Sequence, residues 1–374
     1  MAPVRVLQVV AQMNRGGIET WLMQVLRHLD PQRIRMEFLV TRAAPGHYDA
    51  EIRALGSTTI PCETPAQPAR FTGRMLRVLR ARGPYDVVHS HVHHFSGVVL
   101  AVARCGGVPV RIAHSHLDTA DADKAAPPAR RLYLGLMRRA LDWSATHGLA
   151  VSEVAAVALF GARWRSDPRF EIARCGLDFE VFSGPEDSAA VRAELGLPAD
   201  ALVLVHVGRF DPQKNHALLL RVAAAVFAQE PGARLLMLGD GPLRAGVEDE
   251  AARLRIRDRV VFAGVRTDVA RVLHACDVFV FPSVREGLPL VGLEAQAAGL
   301  PIVLSDIITR EVVVLPDLFT WRSISDPPER WAEAVLAAAH RRAPVAKAVA
   351  ALEASEFSMV RSLPALLDVY RRAA

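Results

Sequence analysis

Residues 202–229 read LVLVHVGRFDPQKNHALLLRVAAAVFAQ, and this stretch decides the fold class. Valine alternates with leucine or histidine over 202–207, which predicts a buried strand. The loop that follows holds Gly208 and Pro212, and the run of alanine and leucine at 217–229 predicts a helix. A strand, a short loop and a helix, in that order, form the repeating unit of a parallel sheet covered by helices.

The same alternation recurs along most of the chain. Apolar, β-branched runs predict strands at 4–10, 36–40, 87–89, 110–113, 149–151, 170–172, 202–207, 234–238, 260–262, 278–281 and 302–304. Helical spacing predicts helices at 19–29, 71–82, 128–142, 217–229 and 289–298, and a last helix at 357–372 with no strand after it. The predicted fold class is therefore α/β, built from doubly wound parallel sheets.

The length of 374 residues exceeds the size at which one hydrophobic core usually divides, about 250–300 residues. The strand–helix alternation restarts after a charged stretch, and Gly184-Pro185-Glu186-Asp187 has the composition of a linker. We therefore expect a first Rossmann-like domain at 1–183 and a second at 184–355.

Composition and charge exclude several classes of protein. Hydrophobic residues make up 51% of the chain, yet no apolar run approaches the roughly 20 residues that cross a bilayer. No apolar leader is present and the four cysteines form no CxxC pair, so we expect a cytoplasmic protein without structural zinc. The net charge of +5 comes with only 6% aromatic residues and no arginine run interleaved with them, so we expect no nucleic-acid partner.

The strongest candidate site is at residues 282–294, PSVREGLPLVGLE, directly after an apolar strand. Gly287 permits a tight turn and Pro289 suits the first position of a helix. Glu286 then lies in the loop and Glu294 in the second turn of that helix, whose free amides favour an anion. Two carboxylates beside an anion site suit a ligand with hydroxyls and phosphates, such as a nucleotide-sugar. The alternative is a surface glutamate in a turn and another in a helix salt bridge.

A second candidate site follows the strand at 202–207. Arg209 and Lys214 lie in its loop, and Lys214 is one of only three lysines in a chain that otherwise uses arginine. We therefore expect the compact ammonium charge of lysine, rather than the planar guanidinium group of arginine, to be required at that position. The alternative is a solvated turn in which Asp211 pairs with Lys214.

Two further loops follow strands of the first half. Gly16 and Gly17 open a helix, where adjacent glycines suit a phosphate or sugar that approaches backbone amides; a plain strand–helix turn fits equally well. Histidines cluster at 89–94 and at His114 and His116. We interpret these as hydrogen-bonding groups beside a substrate or as strand-end packing rather than as metal ligands, because no carboxylate stands at ligand spacing.

Two patterns resemble other sites only in part. Residues 239–244, GDGPLR, begin like the dinucleotide fingerprint GxGxxG but have Arg244 where the last glycine belongs, and no ribose-binding acid follows. Asp121 and Asp123 look like a metal-binding DxD pair, but they lie between His116 and Pro127 rather than after a strand. We expect a solvated loop there.

Taken in order, these motifs resemble the family 4 glycosyltransferases of the retaining GT-B type, and within them exopolysaccharide and capsular transferases of the EpsF kind. The segments that carry the resemblance are 13–20 (MNRGGIET), 86–91 (DVVHSH), 110–116 (VRIAHSH), 208–216, 239–242, 286–294, 294–301 (EAQAAGLP) and 305–312 (SDIITREV). The resemblance implies a GT-B fold, with two Rossmann-like domains that face a central cleft and a final helix at 356–372 that crosses back onto the first domain.

The resemblance also implies roles for single residues. Glu286 would hold hydroxyls of the transferred sugar, and Glu294 the ribose. Arg209 and Lys214 would neutralise the diphosphate. His116, with His114 as the alternative, would lie near the reacting carbon. Backbone contacts are implied at Gly16, Gly17, Gly264, Val265, Gly287, Leu288 and Pro289.

The chain departs from the family pattern in two of these motifs. The usual Asn-Gly-Ile-Asp is Cys175-Gly176-Leu177-Asp178 here, and Leu117 replaces the asparagine of His-Ser-His-Asn. We therefore expect altered side-chain roles at Cys175 and altered acceptor contacts at Leu117.

The resemblance implies a retaining hexosyltransferase that uses a nucleoside-diphosphate sugar, with a UDP-sugar favoured, and that needs no metal or other cofactor. The acceptor would be a sugar or a polyprenyl-diphosphate-linked glycan in exopolysaccharide or capsule synthesis. The basic, apolar stretch at 128–139 fits either peripheral contact with the inner membrane or an ordinary amphipathic helix. Alternative functions are a GT-B-fold sugar-nucleotide epimerase or phosphorylase, an NAD-dependent two-domain oxidoreductase, and a sugar-nucleotide-binding protein without catalysis.

Overall fold

The computed structural model describes residues 2–63, 68–162, 164–184 and 187–371. It divides into two compact units, Met1–Leu177 with Met359–Ala374, and Asp178–Ser358. Pro185 and Glu186 of the predicted linker, and Arg372 of the predicted last helix, lie outside the described residues.

The two units divide ahead of the predicted linker. The short 3₁₀ turn at Glu180–Phe182 belongs to the second unit, where the carbonyl oxygen of Phe182 accepts a hydrogen bond from Nε2 of His274 at 3.1 Å. This contact holds the segment before Gly184 on the second unit.

The first unit is built on a parallel sheet. In the part of the chain that the structure describes, its seven strands are β1 Val4–Val10, β2 Ile34–Val40, β3 Thr59–Pro61, β4 Val87–Ser90, β5 Val110–Ser115, β6 His147–Ala150 and β7 Phe170–Ile172. They lie in the order β3-β2-β1-β4-β5-β6-β7. The helices between them are α1 Gly17–His28, α2 Asp49–Ala54, α3 Pro68–Arg82, α4 Ser96–Cys105, α5 Ala120–Lys124, α6 Pro128–Ser144 and α7 Glu153–Phe160.

The second unit repeats the plan. Among its described residues the strands are β8 Val203–Val207, β9 Arg234–Leu238, β10 Val260–Gly264, β11 Val278–Phe281, β12 Ile302–Ser305 and β13 Phe319–Arg322, in the order β10-β9-β8-β11-β12-β13. The helices are α8 Ser188–Glu194, α9 His216–Gln229, α10 Arg244–Arg253, α11 Val269–His274, α12 Leu290–Ala297, α13 Pro328–Ala338 and α14 Val345–Glu353.

The last helix, α15 Met359–Arg371, belongs to the first unit and contacts β1 and α1. It buries Tyr370 completely. No helix among the described residues combines the length and the apolar character that a bilayer crossing demands.

Each sheet has apolar residues on both faces, as parallel sheets covered by helices require. In the first unit Leu7, Val9 and Val88 pack with Phe71 of α3 and Leu100 of α4. In the second unit the core joins β8, β9 and β11 to α9 and α13, with the buried Trp331 as its largest side chain. All strand pairs are parallel, so the carboxyl ends of the strands in each sheet share one edge.

Candidate functional site

The loop after β8 places Lys214 through a capped turn. A 3₁₀ turn at Pro212–Lys214 is capped by Asp211, whose Oδ1 accepts a hydrogen bond from the amide of Gln213 at 3.0 Å. Asn215 then adopts φ 52° and ends the turn where α9 begins. The alternative in which Asp211 pairs with Lys214 is wrong, because the Asp211 carboxylate caps the turn and Lys214 has a different partner.

Lys214 pairs with Glu286 from the loop after β11. Its Nζ lies 2.7 Å from Oε1 of Glu286, and the side chains are only 14% and 9% exposed. The same Nζ lies 4.7 Å from the ring centre of Phe281, at the end of β11. The two loops are also tied through the main chain, where the amide of Val284 donates to the carbonyl of Gln213 at 2.9 Å. The structure thus brings together two residues that the sequence placed in separate candidate sites.

The loops that follow β10, β9, β8 and β11 are hydrogen-bonded to one another and form one continuous edge. The amide of Gly239 donates to the carbonyl of Gly264 at 2.7 Å, and the amide of Phe210 donates to the carbonyl of Asp240 at 3.0 Å. A Cβ on Gly241 would lie 2.5 Å from the carbonyl oxygen of Phe210, so the GDGP segment is a close loop–loop contact. It supports the loop that carries Arg209 and Lys214.

Arg209 stands in the loop after β8, immediately after Gly208. Its side chain is exposed and forms no hydrogen bond or ion pair with any residue that the structure describes. A Cβ on Gly208 would lie 3.1 Å from Cε of Lys214, so the main chain that carries Arg209 passes against the lysine stem. Two cations and the Glu286 carboxylate therefore share one stretch of the edge, and their formal charge there is positive.

Glu294 lies on α12, as the sequence predicted, while Pro289 precedes the helix instead of being its first residue. The Glu294 side chain is half-buried and has no hydrogen bond or ion pair within the described residues. Burial raises the pKa of its carboxyl from 4.5 to about 7, because desolvation disfavours the charged form. A ligand with hydroxyl groups would supply the donors that the protein itself does not.

The remaining predicted contact residues of the second unit lie at strand ends. Gly264 ends β10 with φ 67°, and Val265 beside it is 39% exposed. Leu288 is buried between Glu286 and α12. In the first unit, Gly16 caps α1 and Gly17 begins it, both of them exposed. A Cβ on Gly16 would lie 2.5 Å from Oε2 of Glu19, the end of a flexible side chain that can move aside, so local packing alone does not require glycine here.

The two histidine clusters predicted in separate loops form one group. Strands β4 and β5 are neighbours, so His89 and His91 lie beside His114 and His116. Nε2 of His89 lies 3.2 Å from Nδ1 of His114, and Nδ1 of His91 lies 2.9 Å from Nε2 of His116. Trp21 of α1 contacts all four rings. His114 is fully buried, whereas His116 is partly exposed.

Gln8 and Tyr370 connect the histidines, and sequence reasoning missed both of them. Nε2 of Gln8 donates to the hydroxyl of Tyr370 at 2.9 Å, and that hydroxyl lies 2.8 Å from Nδ1 of His89. Oε1 of Gln8 accepts from Nε2 of His91 at 2.8 Å. The only signal in the sequence was a polar residue inside the apolar run of β1.

These contacts determine which ring nitrogen carries the proton in His91 and in His116. Burial lowers the pKa of all four histidines, that of His114 to about 3, so the rings are neutral near pH 7. His91 donates through Nε2 to Gln8, so its Nδ1 accepts from Nε2–H of His116. His116 therefore presents an unprotonated Nδ1, which lies 3.9 Å from Sγ of Cys175. Burial raises the pKa of the Cys175 thiol.

The prediction of a solvated loop at the DxD pair is wrong for Asp123. Asp121 is exposed, but Asp123 is buried, and its Oδ2 lies 2.8 Å from Nε2 of His94. The hydroxyl of Thr119 donates to the same oxygen at 2.7 Å. The loop folds into the short helix α5, which carries Asp123 back onto the end of β4. Asp123 fastens this loop to the sheet edge.

Three groups of side chains have ligand atoms close enough to hold a metal ion. Within the described residues they are His89 with His91 and His114, His114 with His116 and Cys175, and His93 with His94 and Asp123. In the last group the hydroxyl of Thr119 is already hydrogen-bonded to two of the three members, since it accepts from His93 and donates to Asp123.

Comparison with known families supports one interpretation of this geometry. The family described as "Glycosyl transferase 4-like domain" matches residues 16–168, and "Glycosyl transferases group 1" matches residues 201–341. The chain is 36% identical to the protein named as glycosyltransferase EpsF in Bacillus subtilis (strain 168), over 98% of this chain and 96% of that protein. It is 34% identical to the D-inositol 3-phosphate glycosyltransferase of Saccharomonospora viridis, over 83% of this chain and 76% of that protein.

Solved structures give the same result at the level of the fold. Anabaena Alr3699/HepE in complex with UDP-glucose superposes with a TM-score of 0.81 at 18% identity, over 98% of this chain and 99% of that one. WaaG, a glycosyltransferase involved in lipopolysaccharide biosynthesis, superposes with a TM-score of 0.72 at 17% identity, over 97% and 98%.

Proposed function

The chain belongs to the family 4-like, EpsF-related glycosyltransferases of GT-B fold, and on that premise we propose that it is a retaining hexosyltransferase. It moves a hexosyl unit from a UDP-sugar to a hydroxyl acceptor in exopolysaccharide or capsule synthesis. That the chain is a transferase is established by its family; the donor, the stereochemistry, the acceptor and the cytoplasmic location are the proposal.

The observation that carries the proposal is the Lys214–Glu286 pair at 2.7 Å, with the unpaired Arg209 in the same loop. An ammonium group has three donors, and one carboxylate oxygen uses only one of them. Lys214 and Arg209 therefore remain able to bind a diphosphate. When the glycosidic bond breaks, charge separates between an oxocarbenium-like sugar and the leaving diphosphate. Fixed positive charge aimed at that diphosphate lowers the barrier, and this chemistry requires no metal ion.

The remaining residues suit the other parts of the donor. Glu286 accepts from hydroxyls of the transferred sugar while Lys214 holds it in place. Glu294, whose carboxylate has no partner within the described residues, accepts from the ribose hydroxyls. The main chain at Gly264 and at the exposed Val265 meets the base, and Gly287 and Leu288 add backbone contacts. In the first unit, Gly16 and Gly17 lie against the diphosphate; the amide of Gly16 donates to the carbonyl of Asn14 at 3.2 Å, so the amide of Gly17 is the one offered to the ligand. The unprotonated Nδ1 of His116 accepts from a hydroxyl of the sugar.

The neighbours in structure support our choice of donor class, and so does the site. The Anabaena protein was solved with UDP, with UDP and glucose, and with UDP-glucose. We therefore favour a UDP-sugar for this chain. A thermal-shift series with UDP-, GDP- and ADP-glucose tests this choice; stabilisation by GDP-glucose alone would contradict it.

The acceptor we propose is a polyprenyl-diphosphate-linked glycan at the cytoplasmic face of the inner membrane. The support is helix α6, which buries Leu134 and Leu141 but leaves Leu132 at 67% and Leu136 at 50% exposure. Arg131 beside them is exposed as well. Exposed leucines flanked by arginine suit an anionic lipid surface.

The test of the reaction is Lys214→Ala. We expect turnover with UDP-glucose and a polyprenyl-diphosphate-linked acceptor to fall by about 10²–10³, as when one preorganised donor is removed. Lys347→Ala is the matched control, because Lys347 is exposed on α14. Full turnover in Lys214→Ala would refute the assignment. Release of UDP that needs no acceptor would favour hydrolysis, and a change of the sugar without its transfer would favour the epimerase alternative.

A further inference from the structure

We propose that His114, His116 and Cys175 form a binding site for a soft divalent cation, with Zn²⁺ as the natural probe, and that its occupation inhibits the enzyme. The site is distinct from the donor-binding edge of the second unit. Its inhibitory consequence rests on the proposed function of His116, whereas the binding itself does not.

The first argument is the distance between the three ligand atoms. One ring nitrogen of each histidine and Sγ of Cys175 all lie within 4.8 Å of one another, and Nδ1 of His116 lies 3.9 Å from Sγ. A tetrahedral zinc ion with Zn–N of about 2.0–2.1 Å and Zn–S of about 2.3 Å separates its ligand atoms by about 3.3–3.6 Å. Small side-chain movements therefore suffice to close the three ligands around the ion.

The second argument concerns the two ring nitrogens of each histidine. In the described part of the chain, the nitrogen that would bind the metal has no strong hydrogen bond, whereas the opposite nitrogen is hydrogen-bonded to another histidine. Nε2 of His114 is buried without a well-formed hydrogen bond to any described residue, although the main chain of Ala173 lies beside the ring. Within the same residues, Nδ1 of His116 contacts only the thiol. The opposite nitrogens are fixed, since Nδ1 of His114 lies 3.2 Å from His89 and Nε2 of His116 donates to His91 at 2.9 Å. Metal-binding histidines almost always have their second nitrogen held by an outer partner in this way.

The third argument is the set of ligand types. A thiolate with two imidazoles selects zinc and other soft divalent ions over magnesium or calcium. Binding forms a sulfur–metal bond and releases the thiol proton to solvent, so no oxidant or reductant is needed. Three protein ligands leave a fourth position open. Of the three, only His116 is partly exposed, so the open position faces solvent on the side of His116.

The other two candidate groups are less suited to a metal. Asp123 is already hydrogen-bonded to His94 and to Thr119, and His93 is hydrogen-bonded to Thr119. His89, His91 and His114 are all buried and joined to Tyr370, Gln8 and each other. Neither group contains a thiol. A spectroscopic probe that reports the thiol therefore distinguishes the proposed site from both.

The experiment titrates Co²⁺ and Zn²⁺ into the full chain in a thiol-free reductant and in the absence of sugar nucleotide. We expect one metal ion per chain and a thiolate-to-cobalt charge-transfer band in the near ultraviolet. Cys175→Ala should lose the band and weaken Zn²⁺ binding at least about tenfold, the lower end of the effect of losing even an outer partner. Cys62→Ala is the matched control, because Cys62 is equally buried in the same unit but packs in its apolar core.

Two further measurements keep the proposal testable if Cys175→Ala fails to fold. His116→Gln should also lose tight Zn²⁺ binding while Cys62→Ala retains it. In activity assays Zn²⁺ should inhibit the unmodified chain, and a chelator should restore turnover. Cobalt binding without the thiolate band, or Zn²⁺ affinity unchanged in both variants, would overturn the proposal. A chain that binds Zn²⁺ as expected but transfers no sugar would contradict the proposed function alone.

Discussion

At the scale of single residues, the ionised carboxylate of Glu294 destabilises the ligand-free protein. Burial raises its pKa from 4.5 to about 7, and within the described residues nothing donates a hydrogen bond to it. The folded state therefore holds its proton more tightly than the unfolded state does. Folding stability from this group is full below about pH 4.5, declines as the pH rises towards 7, and stays low above that pH.

Glu294→Gln should accordingly stabilise the ligand-free chain at pH 8 by a few degrees in Tm, because the amide has no charge to desolvate. At pH 4.5 the two proteins should melt together, since the native glutamate is then largely neutral in the folded state. Differential scanning calorimetry across this pH range checks the prediction. Glu311→Gln is the control, on a side chain that is hydrogen-bonded to Thr309. A variant that is less stable at pH 8 would contradict the assigned cause.

Tyr370 joins β1 to β4 through its hydroxyl, which contacts Gln8 and His89. Tyr370→Phe leaves a buried amide donor and a buried ring nitrogen without their partner, and we expect a loss of about 1–3 kcal/mol of unfolding free energy. Tyr133→Phe on α6 should change stability by less than about 0.5 kcal/mol, because its hydroxyl has no partner among the described residues. Urea denaturation measures both. Equal effects of the two substitutions would show that the hydroxyl of Tyr370 does not hold the network together.

The sequence identified candidate functional side chains where they lie in a loop directly after a predicted strand. Lys214 and Glu286 were identified in two separate candidate sites because each loop follows a predicted strand, and the structure pairs them at 2.7 Å. Gln8 and Tyr370 could not be predicted, because their contact joins residues 362 positions apart. Asp123 was misjudged for a similar reason, since its partner His94 lies on another element.

At the scale of secondary-structure elements, the predicted strands were all found, and the two that were missed lie at sheet edges. Strand β3 has three residues and ends in proline, and β13 has four. Each ends its sheet in the strand order. An edge strand is paired on one side and needs no long apolar run, so the signal that identifies central strands is weak there.

Helix α6 carries the prediction on membrane contact. Leu132 and Leu136 are one turn apart and exposed, so the double variant Leu132→Glu, Leu136→Glu adds charge where the membrane would lie. We expect the unmodified chain to co-sediment with anionic phosphatidylglycerol vesicles at low salt, and the variant to lose this binding. Val181→Glu, a 60% exposed residue of the second unit, serves as the control. No binding by the unmodified chain would leave α6 as an ordinary amphipathic helix and contradict the proposed contact.

At the scale of the whole molecule, the proposed donor contacts are distributed unequally. Arg209, Lys214, Glu286 and Glu294 all belong to the second unit, and the first unit contributes the main chain at Gly16 and Gly17 and the side chain of His116. A ligand that binds only the folded state stabilises it by about 2.7 kcal/mol at a concentration of 100 Kd. The residues that contact it should exchange their amide hydrogens more slowly.

Hydrogen exchange in the presence of UDP-glucose should therefore slow at 208–216, 264–265 and 286–294, because these loops close around the donor. Helix α14 belongs to the same unit but contributes no proposed contact, so its exchange should stay the same and serves as the internal control. Slower exchange at 16–18 would support the role of Gly16 and Gly17. If saturating donor protected only the first unit, the edge formed by β8 and β11 would not be the donor site. The pair between Lys214 and Glu286 would then have a structural role only. Buried charges form such ion pairs because an unpaired charge in the protein interior carries a large desolvation cost.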